Sequence, residues 1–310
     1  MHRAWFLAVL AGCGRLAFDE ASIDAMVDAR EAECPDGYQF VRGSTTLGTR
    51  DFCAMRFEAR ARGPGGATVI NGCVDDPVET CVPNGLDIAT HTAVSVPAGL
   101  PWRGIDAANA FAECAQLGAG YALMANSEWM TIARAAEVTG ANWSGGEPYA
   151  GRLAEGHTDG APITITDPED PYSDTGNSAA DPPGMGWEQR RTIVLANGRS
   201  LWDLAGHMQE WIDWTYGDDV YAGAPPCAGG ELDVVTCAGY ADDAYKPANP
   251  SLDRAVGAGY IIGGAGDAAR RGGQAGDKDD GFAGIYALNM NRFTTQTFPG
   301  TGFRCVYRLP

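Results

Sequence analysis

The stretch most informative about the fold reads Leu201-Trp202-Asp203-Leu204-Ala205-Gly206-His207-Met208-Gln209-Glu210-Trp211. We predict that Trp202, Trp211 and the nearby Trp214 belong to a hydrophobic core rather than to a ligand platform, because large aromatic side chains dominate core packing. Just before this stretch, Thr192-Ile193-Val194-Leu195 has the β-branched composition of a short strand, and Asn197-Gly198 is a tight-turn signal. The region is therefore predicted to be short strands joined by turns.

The composition describes a globular, acidic protein. The chain has 310 residues, of which 45% are hydrophobic and 20% are charged. Such a chain can bury one large core or two small ones. Lys and Arg number 22 against 40 Asp and Glu, which gives a net charge of -18. A field of this sign repels phosphate backbones and anionic lipid, so nucleic-acid binding and a polybasic membrane patch are disfavoured, and cations are favoured as small partners.

Two helices are predicted in the middle of the chain. In the first, Asp106 is the expected N-cap; in the second, Asn126 is the expected N-cap and Glu128 lies in the first turn. Their apolar residues recur at helical spacing and are predicted to be buried: Ala107, Ala110, Phe111, Cys114 and Leu117 in the first, and Trp129, Ile132, Ala133 and Ala136 in the second. Elsewhere short strands alternate with Gly- and Pro-rich loops. We therefore predict an α+β fold with two helices, small twisted antiparallel sheets and long loops.

The N-terminus has the features of an export signal. A basic start and a short apolar run precede Leu10-Ala11-Gly12-Cys13, which resembles the lipobox of bacterial lipoproteins. We expect residues 1–12 to be a signal peptide, Cys13 to carry the lipid, 13–33 to form an acidic, Ala-rich tether and 34–310 to form the domain. An ordinary first helix with a chance cysteine is the alternative. The expected location is the bacterial cell envelope, on the outer membrane or the cell surface.

The chain has nine cysteines, no C-x-x-C spacing and only four histidines. This pattern disfavours zinc and iron–sulfur sites and favours structural disulfides. If Cys13 is lipidated, eight cysteines remain to pair. The strands at Tyr38–Val41 and Phe52–Glu58 suggest a hairpin that Cys34 and Cys53 could staple, and Cys73 and Cys81 form another close pair.

Four segments in order resemble the formylglycine-generating enzyme family, whose members have a C-type-lectin-like fold. The segments are Asp51-Phe52-Cys53-Ala54-Met55-Arg56-Phe57-Glu58-Ala59, Ala122-Leu123-Met124-Ala125-Asn126-Ser127-Glu128-Trp129, Leu201 to Trp211 as quoted above, and Arg271-Gly272-Gly273 followed by Gly302-Phe303-Arg304-Cys305. His207 and Gln209 depart from the family, which usually has Asn and Trp there. The resemblance covers roughly residues 34–310.

The resemblance implies a disulfide between Cys114 and Cys305. The six remaining cysteines then pair most simply as neighbours, although eight cysteines allow about a hundred pairings. This expectation gives the bridges Cys34–Cys53, Cys73–Cys81 and Cys227–Cys237.

The oxidase chemistry of the family requires two thiolates that hold Cu(I) after the Gly-Gly pair. The ungapped alignment places Asp277 and Phe282 at these two positions, and no cysteine lies between Cys237 and Cys305. The resemblance therefore implies a scaffold without copper and without the chemistry of the family. An enzyme of the same family with altered chemistry is the alternative.

The family also binds calcium through the third segment. The implied ligands here are the Asp203 carboxylate, the carbonyl oxygens of Gly206 and Met208, and Glu210, an oxygen set of the kind that Ca²⁺ prefers. The other interpretation is that Asp203 and Glu210 cap the loop without a metal.

The C-terminal segment falls where the enzymes have their peptide groove. It mixes aromatic, amide and charged groups, as binding surfaces do. Ordinary polar loop packing is the alternative. The chain is also similar to the variable proteins of diversity-generating retroelements, which use this lectin-like fold. The implied ligand-binding residues are Asp277, Lys278, Asp280, Phe282, Tyr286, Asn289, Asn291 and Arg292.

Three hypotheses follow from the sequence. The first is an exported, lipid-anchored, non-catalytic domain that binds an extracytoplasmic protein, peptide or glycan. The second is an enzyme of the same family that needs neither cysteine. The third is a structural envelope lipoprotein whose domain only spaces or packs.

Overall fold

A computed structural model describes residues 33–66, 89–97, 99, 101–156, 190–214, 230–233, 247–249, 251–252, 256–263, 268–273 and 283–310. The strands are β1 (Tyr38–Val41), β2 (Phe52–Met55), β3 (Arg60–Arg62), β4 (Thr92–Val94), β5 (Tyr121–Leu123), β6 (Thr192–Val194), β7 (Ser200–Trp202), β8 (Gln209–Ile212), β9 (Gly230–Asp233), β10 (Tyr260–Gly263), β11 (Ala268–Gly272), β12 (Gly284–Arg292), β13 (Thr301–Phe303) and β14 (Cys305–Arg308). The helices are α1 (Ala107–Ala115) and α2 (Asn126–Glu137), and a 3-10 turn spans Gly140–Asn142.

The described strands form two main sheets and two antiparallel pairs, β3–β4 and β6–β7. The smaller main sheet has the order β1-β2-β14-β5 and is antiparallel throughout. The larger has the order β13-β8-β11-β12-β10-β9. In it β13 runs parallel to β8, and β10 runs parallel to β12. The α+β class with two helices and small sheets is thus confirmed, while the larger sheet is mixed rather than purely antiparallel.

Helix α1 begins where the sequence predicted. Asp106 is the N-cap, and its Oδ1 accepts a hydrogen bond from the Asn109 backbone N–H at 2.7 Å. The prediction that Phe111 is buried is wrong, because this side chain is 47% exposed. Ala107, Ala110 and Cys114 form the buried stripe of this short helix, and Phe111 lies beside it at one residue, or about 100°, from Ala110.

Helix α2 begins one residue earlier than predicted. Ala125 is the N-cap and Asn126 is the first helical residue, so the prediction of Asn126 as a cap is wrong. The Asn126 side chain has a tertiary role instead, since its Oδ1 accepts from Arg271 Nε at 3.0 Å and Nη2 at 2.5 Å. Glu128, at the third helical position, accepts from the Ala125 backbone N–H at 2.7 Å through Oε2, which is the N3 half of a capping box.

The core connects both helices to the sheets. Trp129 of α2 donates its indole N–H to the Ile285 carbonyl on β12 at 2.7 Å. Trp202, Trp211 and Trp214 are 7%, 0% and 7% exposed, which confirms their prediction as core residues. Gly272 has a φ of +92°, and a Cβ there would lie 2.8 Å from the Leu204 carbonyl oxygen, so this close approach of β11 to residue 204 requires glycine.

Two of the predicted disulfides are present. Cys34–Cys53 closes the β1–β2 hairpin, and Cys114–Cys305 joins α1 to β14. Their sequence separations are 19 and 191 residues, which correspond to about 3 and about 5 kcal/mol in the chain-entropy model. Cys73, Cys81, Cys227 and Cys237 lie outside the described residues, as does Cys13. Among the residues that are described, no helix is both long and apolar enough to cross a membrane.

Candidate functional site

The segment between β7 and β8 is a tight loop with an unusual backbone. Asp203, Gly206 and His207 have φ values of +54°, +69° and +60°. Left-handed conformations at non-glycine residues persist where surrounding interactions fix them. Here the Asp203 N–H donates to the Arg191 carbonyl at 2.8 Å, and the Gly206 N–H donates to the Gly272 carbonyl at 2.9 Å. The loop is thus held by strand β11 and by the residue that precedes β6.

The Asp203 side chain is buried in an ion pair. Arg191 Nε donates to Oδ1 at 2.6 Å and Nη2 donates to Oδ2 at 2.5 Å, and both side chains are at most 1% exposed. Burial alone would raise the pKa of Asp203, but Arg191, His207 and Arg60 together lower it below its ordinary value. Asp203 is therefore a carboxylate whose two oxygens are already engaged by a guanidinium group.

His207 belongs to the same buried network. Its Nδ1 lies 2.5 Å from Glu58 Oε2 and 4.0 Å from Asp203 Oδ2. Burial would lower the pKa of His207, but Glu58 and Asp203 raise it. Arg60 Nη1 lies 3.8 Å from the same Glu58 oxygen, and burial lowers the pKa of Arg60 to about 10.

Glu210 is paired with a second arginine. Arg304 Nη2 donates to Glu210 Oε1 at 2.8 Å, and its Nε lies 3.2 Å from Oε2. The same guanidinium group donates to the Met55 and Trp202 carbonyl oxygens, each at 2.8 Å. Burial raises the pKa of Glu210 to about 7, although Arg304 opposes the shift.

This geometry bears on the calcium prediction. Oxygens of Glu58 and Asp203 and a nitrogen of His207 lie within 4.8 Å of one another, a spacing at which a metal ion can be held. However, Asp203 and Glu210 each face an arginine. The network has three buried carboxylates, which lie among three guanidinium groups and one imidazole: Glu58, Asp203 and Glu210 among Arg60, Arg191, Arg304 and His207. The negative charge of these carboxylates is already neutralised, so a divalent ion would add uncompensated positive charge to a buried network. The residues as arranged do not fit a calcium site.

The predicted ligand-binding residues divide into three groups. Asp277, Lys278, Asp280 and Phe282 lie outside the described residues. Tyr286 lies in the core at 0% exposure rather than at the surface, and its hydroxyl donates to Glu137 Oε2 at 2.5 Å. Asn289 is 7% exposed, with its Oδ1 accepting from the Asn291 N–H at 3.2 Å. Of the four predicted residues that are described, Asn291 and Arg292, at the end of β12, are the two that are partly open to solvent.

The end of β12 presents an ordered aromatic and cationic surface. The Arg292 guanidinium carbon lies 4.2 Å above the centre of the Phe298 ring, and Phe293 is 48% exposed. The Ala108 N–H donates to the Thr294 carbonyl at 3.2 Å, so α1 lies against this segment. Exposed Phe111 is one turn further along α1. We call Arg292, Phe293, Phe298 and Phe111 the β12-end surface.

The most important contacts were not evident in the sequence. Arg191 is separated from Asp203 by 12 residues and Arg304 from Glu210 by 94, so no local spacing connects the pairs. Glu137 also makes contacts that the sequence does not reveal. It binds the Tyr286 hydroxyl and also accepts from the Ala248 and Asn249 backbone N–H groups at 2.9 and 2.8 Å. A carboxylate in the last turn of a helix resembles any exposed helical Glu when the sequence alone is read.

Comparisons with known proteins leave the family open. No protein-family model matches the chain. A search of the curated proteins also finds no match.

Proposed function

We propose that this chain is an exported, lipid-anchored binding protein without oxidase activity, built on a C-type-lectin-like fold of the formylglycine-generating enzyme type. Its ligand is an extracytoplasmic protein, peptide or glycan. The α+β architecture and the Cys114–Cys305 bridge are consistent with this fold. The lipobox-like segment ending at Cys13 supports the lipid anchor.

The observation that carries the proposal is the state of the cysteines. All four cysteines in the described part of the chain are paired in disulfides. Disulfides of this kind persist in oxidising compartments, which supports export. The sequence has no cysteine between Cys237 and Cys305, so the segment that follows the Gly-Gly pair offers no thiolate for copper. A binding role then accounts for the fold without requiring that chemistry.

The β12-end surface is the proposed binding site. Aromatic residues and arginine are enriched in protein interfaces and among the residues that contribute most to binding. The Arg292–Phe298 stack orders a cation in advance of binding, which reduces the entropy lost when a ligand is bound. Phe111 and Phe293 expose 47% and 48% of their surface and can be buried by a partner.

The test uses the full-length lipidated chain in detergent and measures how much of an extracytoplasmic partner it retains. Phe293→Ala and Arg292→Ala are compared with Val138→Ala, a matched control that is 59% exposed at the end of α2. We expect the first two variants to weaken retention of an envelope or extracellular ligand by about tenfold or more, as for hot-spot residues, and the control to retain it. Equal retention by all three would place binding elsewhere.

A second measurement addresses the absence of oxidase activity. The purified chain is incubated with Cu(I) and a cysteine-containing peptide, and aldehyde formation is followed by mass spectrometry. No product is expected. Turnover above that of the same mixture without the protein would overturn the non-catalytic assignment.

A further inference from the structure

A cavity of about 280 Å³ lies beside the β1–β2 hairpin, away from the β12-end surface. It is open to solvent on one side and is lined by the turn that precedes β2, the first turn of α2 and the end of β14. Its charged lining residues are Arg50, Asp51, Glu128 and Arg308, and Phe52 and Leu309 contribute apolar surface. Phe52 and Leu309 are 1% and 6% exposed, so they form an almost fully buried floor of the cavity.

The walls of this cavity are fixed before any ligand arrives. The Thr49 N–H donates to the Ser44 carbonyl at 2.9 Å, which closes the hairpin turn. The Thr49 hydroxyl lies 2.8 Å from the Thr131 hydroxyl on α2, which joins the turn to the helix. Asp51 is held by the Gly43 N–H, which donates to its Oδ1 at 2.9 Å. A preformed site of this kind requires little ordering when a ligand binds.

The cavity has charges of both signs and no net charge. Arg308 Nε donates to Glu128 Oε1 at 2.7 Å, and Nη2 donates to Oε2 at 3.1 Å. The Arg308 side chain is 25% exposed, so part of this ion pair faces solvent. Arg50 is exposed and Asp51 is half-buried next to it. Two guanidinium groups and two carboxylates therefore surround one small space.

This combination selects a class of ligand. Pockets for drug-sized molecules start at about 300 Å³, so this cavity suits a smaller one. A ligand with a single charge would satisfy one pair of lining groups and face repulsion from the other, whereas a zwitterion complements both. We infer that the cavity binds a free α-amino acid with an apolar side chain, whose carboxylate faces Arg50 and Arg308, whose ammonium group faces Asp51, and whose side chain lies over Leu309.

The experiment is calorimetry on the full-length chain with leucine as the probe. 4-Methylpentanoate lacks the ammonium group and isopentylamine lacks the carboxylate. We expect leucine to bind and each analogue to bind about tenfold more weakly or worse, since each loses charge-assisted hydrogen bonds. No heat with leucine at about 10 mM would overturn the inference. Equal binding of either analogue would also overturn it, because the site would then recognise a single charge.

Variants locate the binding in the cavity. Arg50→Ala should weaken leucine binding by about tenfold, and Arg50→Lys should weaken it less because the charge remains. Arg42→Ala is the matched control, since Arg42 is exposed on the same hairpin and does not line the cavity. A loss of affinity in Arg42→Ala equal to that in Arg50→Ala would contradict the assignment. The inference does not rest on the proposed function, because leucine binding and partner capture are measured separately and involve different residues.

Discussion

Replacing Arg191 by methionine tests whether the loop between β7 and β8 depends on arginine rather than on calcium. The substitution removes both hydrogen bonds to Asp203 and leaves a buried carboxylate without its guanidinium partner. Breaking a buried ion pair by removing one partner costs about 3–5 kcal/mol. Two hydrogen bonds to charged groups, at about 1.5–3 kcal/mol each, give a similar total. The loss is a large part of the total stability of an ordinary domain.

Urea denaturation followed by tryptophan fluorescence measures this loss, since three of the buried tryptophans lie on or next to the loop. Arg199→Met is the matched control, because Arg199 is exposed on the β6–β7 hairpin. It should change the free energy of unfolding by no more than about 0.5 kcal/mol. The double variant Arg191→Met/Asp203→Asn should be more stable than Arg191→Met alone, because asparagine removes the uncompensated charge and tolerates the left-handed backbone.

Two results would refute this reasoning. A loss below about 1 kcal/mol in Arg191→Met would show that the ion pair contributes no more than a surface pair. A fall in the unfolding midpoint of the native chain on addition of EDTA, reversed by calcium, would show that a metal does hold the loop. We expect EDTA to leave the midpoint unchanged.

Two further predictions concern buried titratable groups. Burial raises the pKa of Glu113 to about 7. Its contribution to stability is therefore greatest below about pH 4.5 and is lost as the pH rises through about 7. Glu113→Gln should flatten this pH dependence and stabilise the protein at pH 8 by about 1–3 kcal/mol, as measured by urea denaturation at a series of pH values. An unchanged pH profile would show that Glu113 titrates normally. Tyr286→Phe should cost about 1–3 kcal/mol because it removes the hydroxyl donor to Glu137, whereas Tyr149→Phe, which is more exposed and lies 3.2 Å from the same carboxylate, should cost less. Unchanged stability in Tyr286→Phe would show that the hydrogen bond to Glu137 contributes nothing to folding.

Local features of the fold were predictable from the sequence, because their causes lie within a few residues. Asp106 caps α1 through a residue three positions away, and Gly198 has the positive φ that its turn requires. The tryptophans are buried because of their size. The prediction of Asn126 as an N-cap is wrong because Arg271, 145 residues away, binds this side chain.

The candidate sites were harder to predict, since they depend on which distant side chains meet. The sequence assigned Asp203 and Glu210 to a cation and could not show that Arg191 and Arg304 supply the positive charge. It also grouped Tyr286 with surface residues, although β12 is buried on both faces from Gly284 to Met290 and Glu137 of α2 binds the Tyr286 hydroxyl. The cavity beside the hairpin had no signal, because its lining comes from three separate segments.

The position of β14 has a consequence for how this protein is made. This strand pairs on both edges, with β2 on one side and β5 on the other, and Cys305 lies 250 residues after Met55. Domains commonly begin to fold from their N-terminal part during synthesis, but here the early strands have no central partner until residues 305–308 leave the ribosome. The complete smaller sheet therefore forms only after translation of that segment, and until then β2 lacks the partner on its second edge.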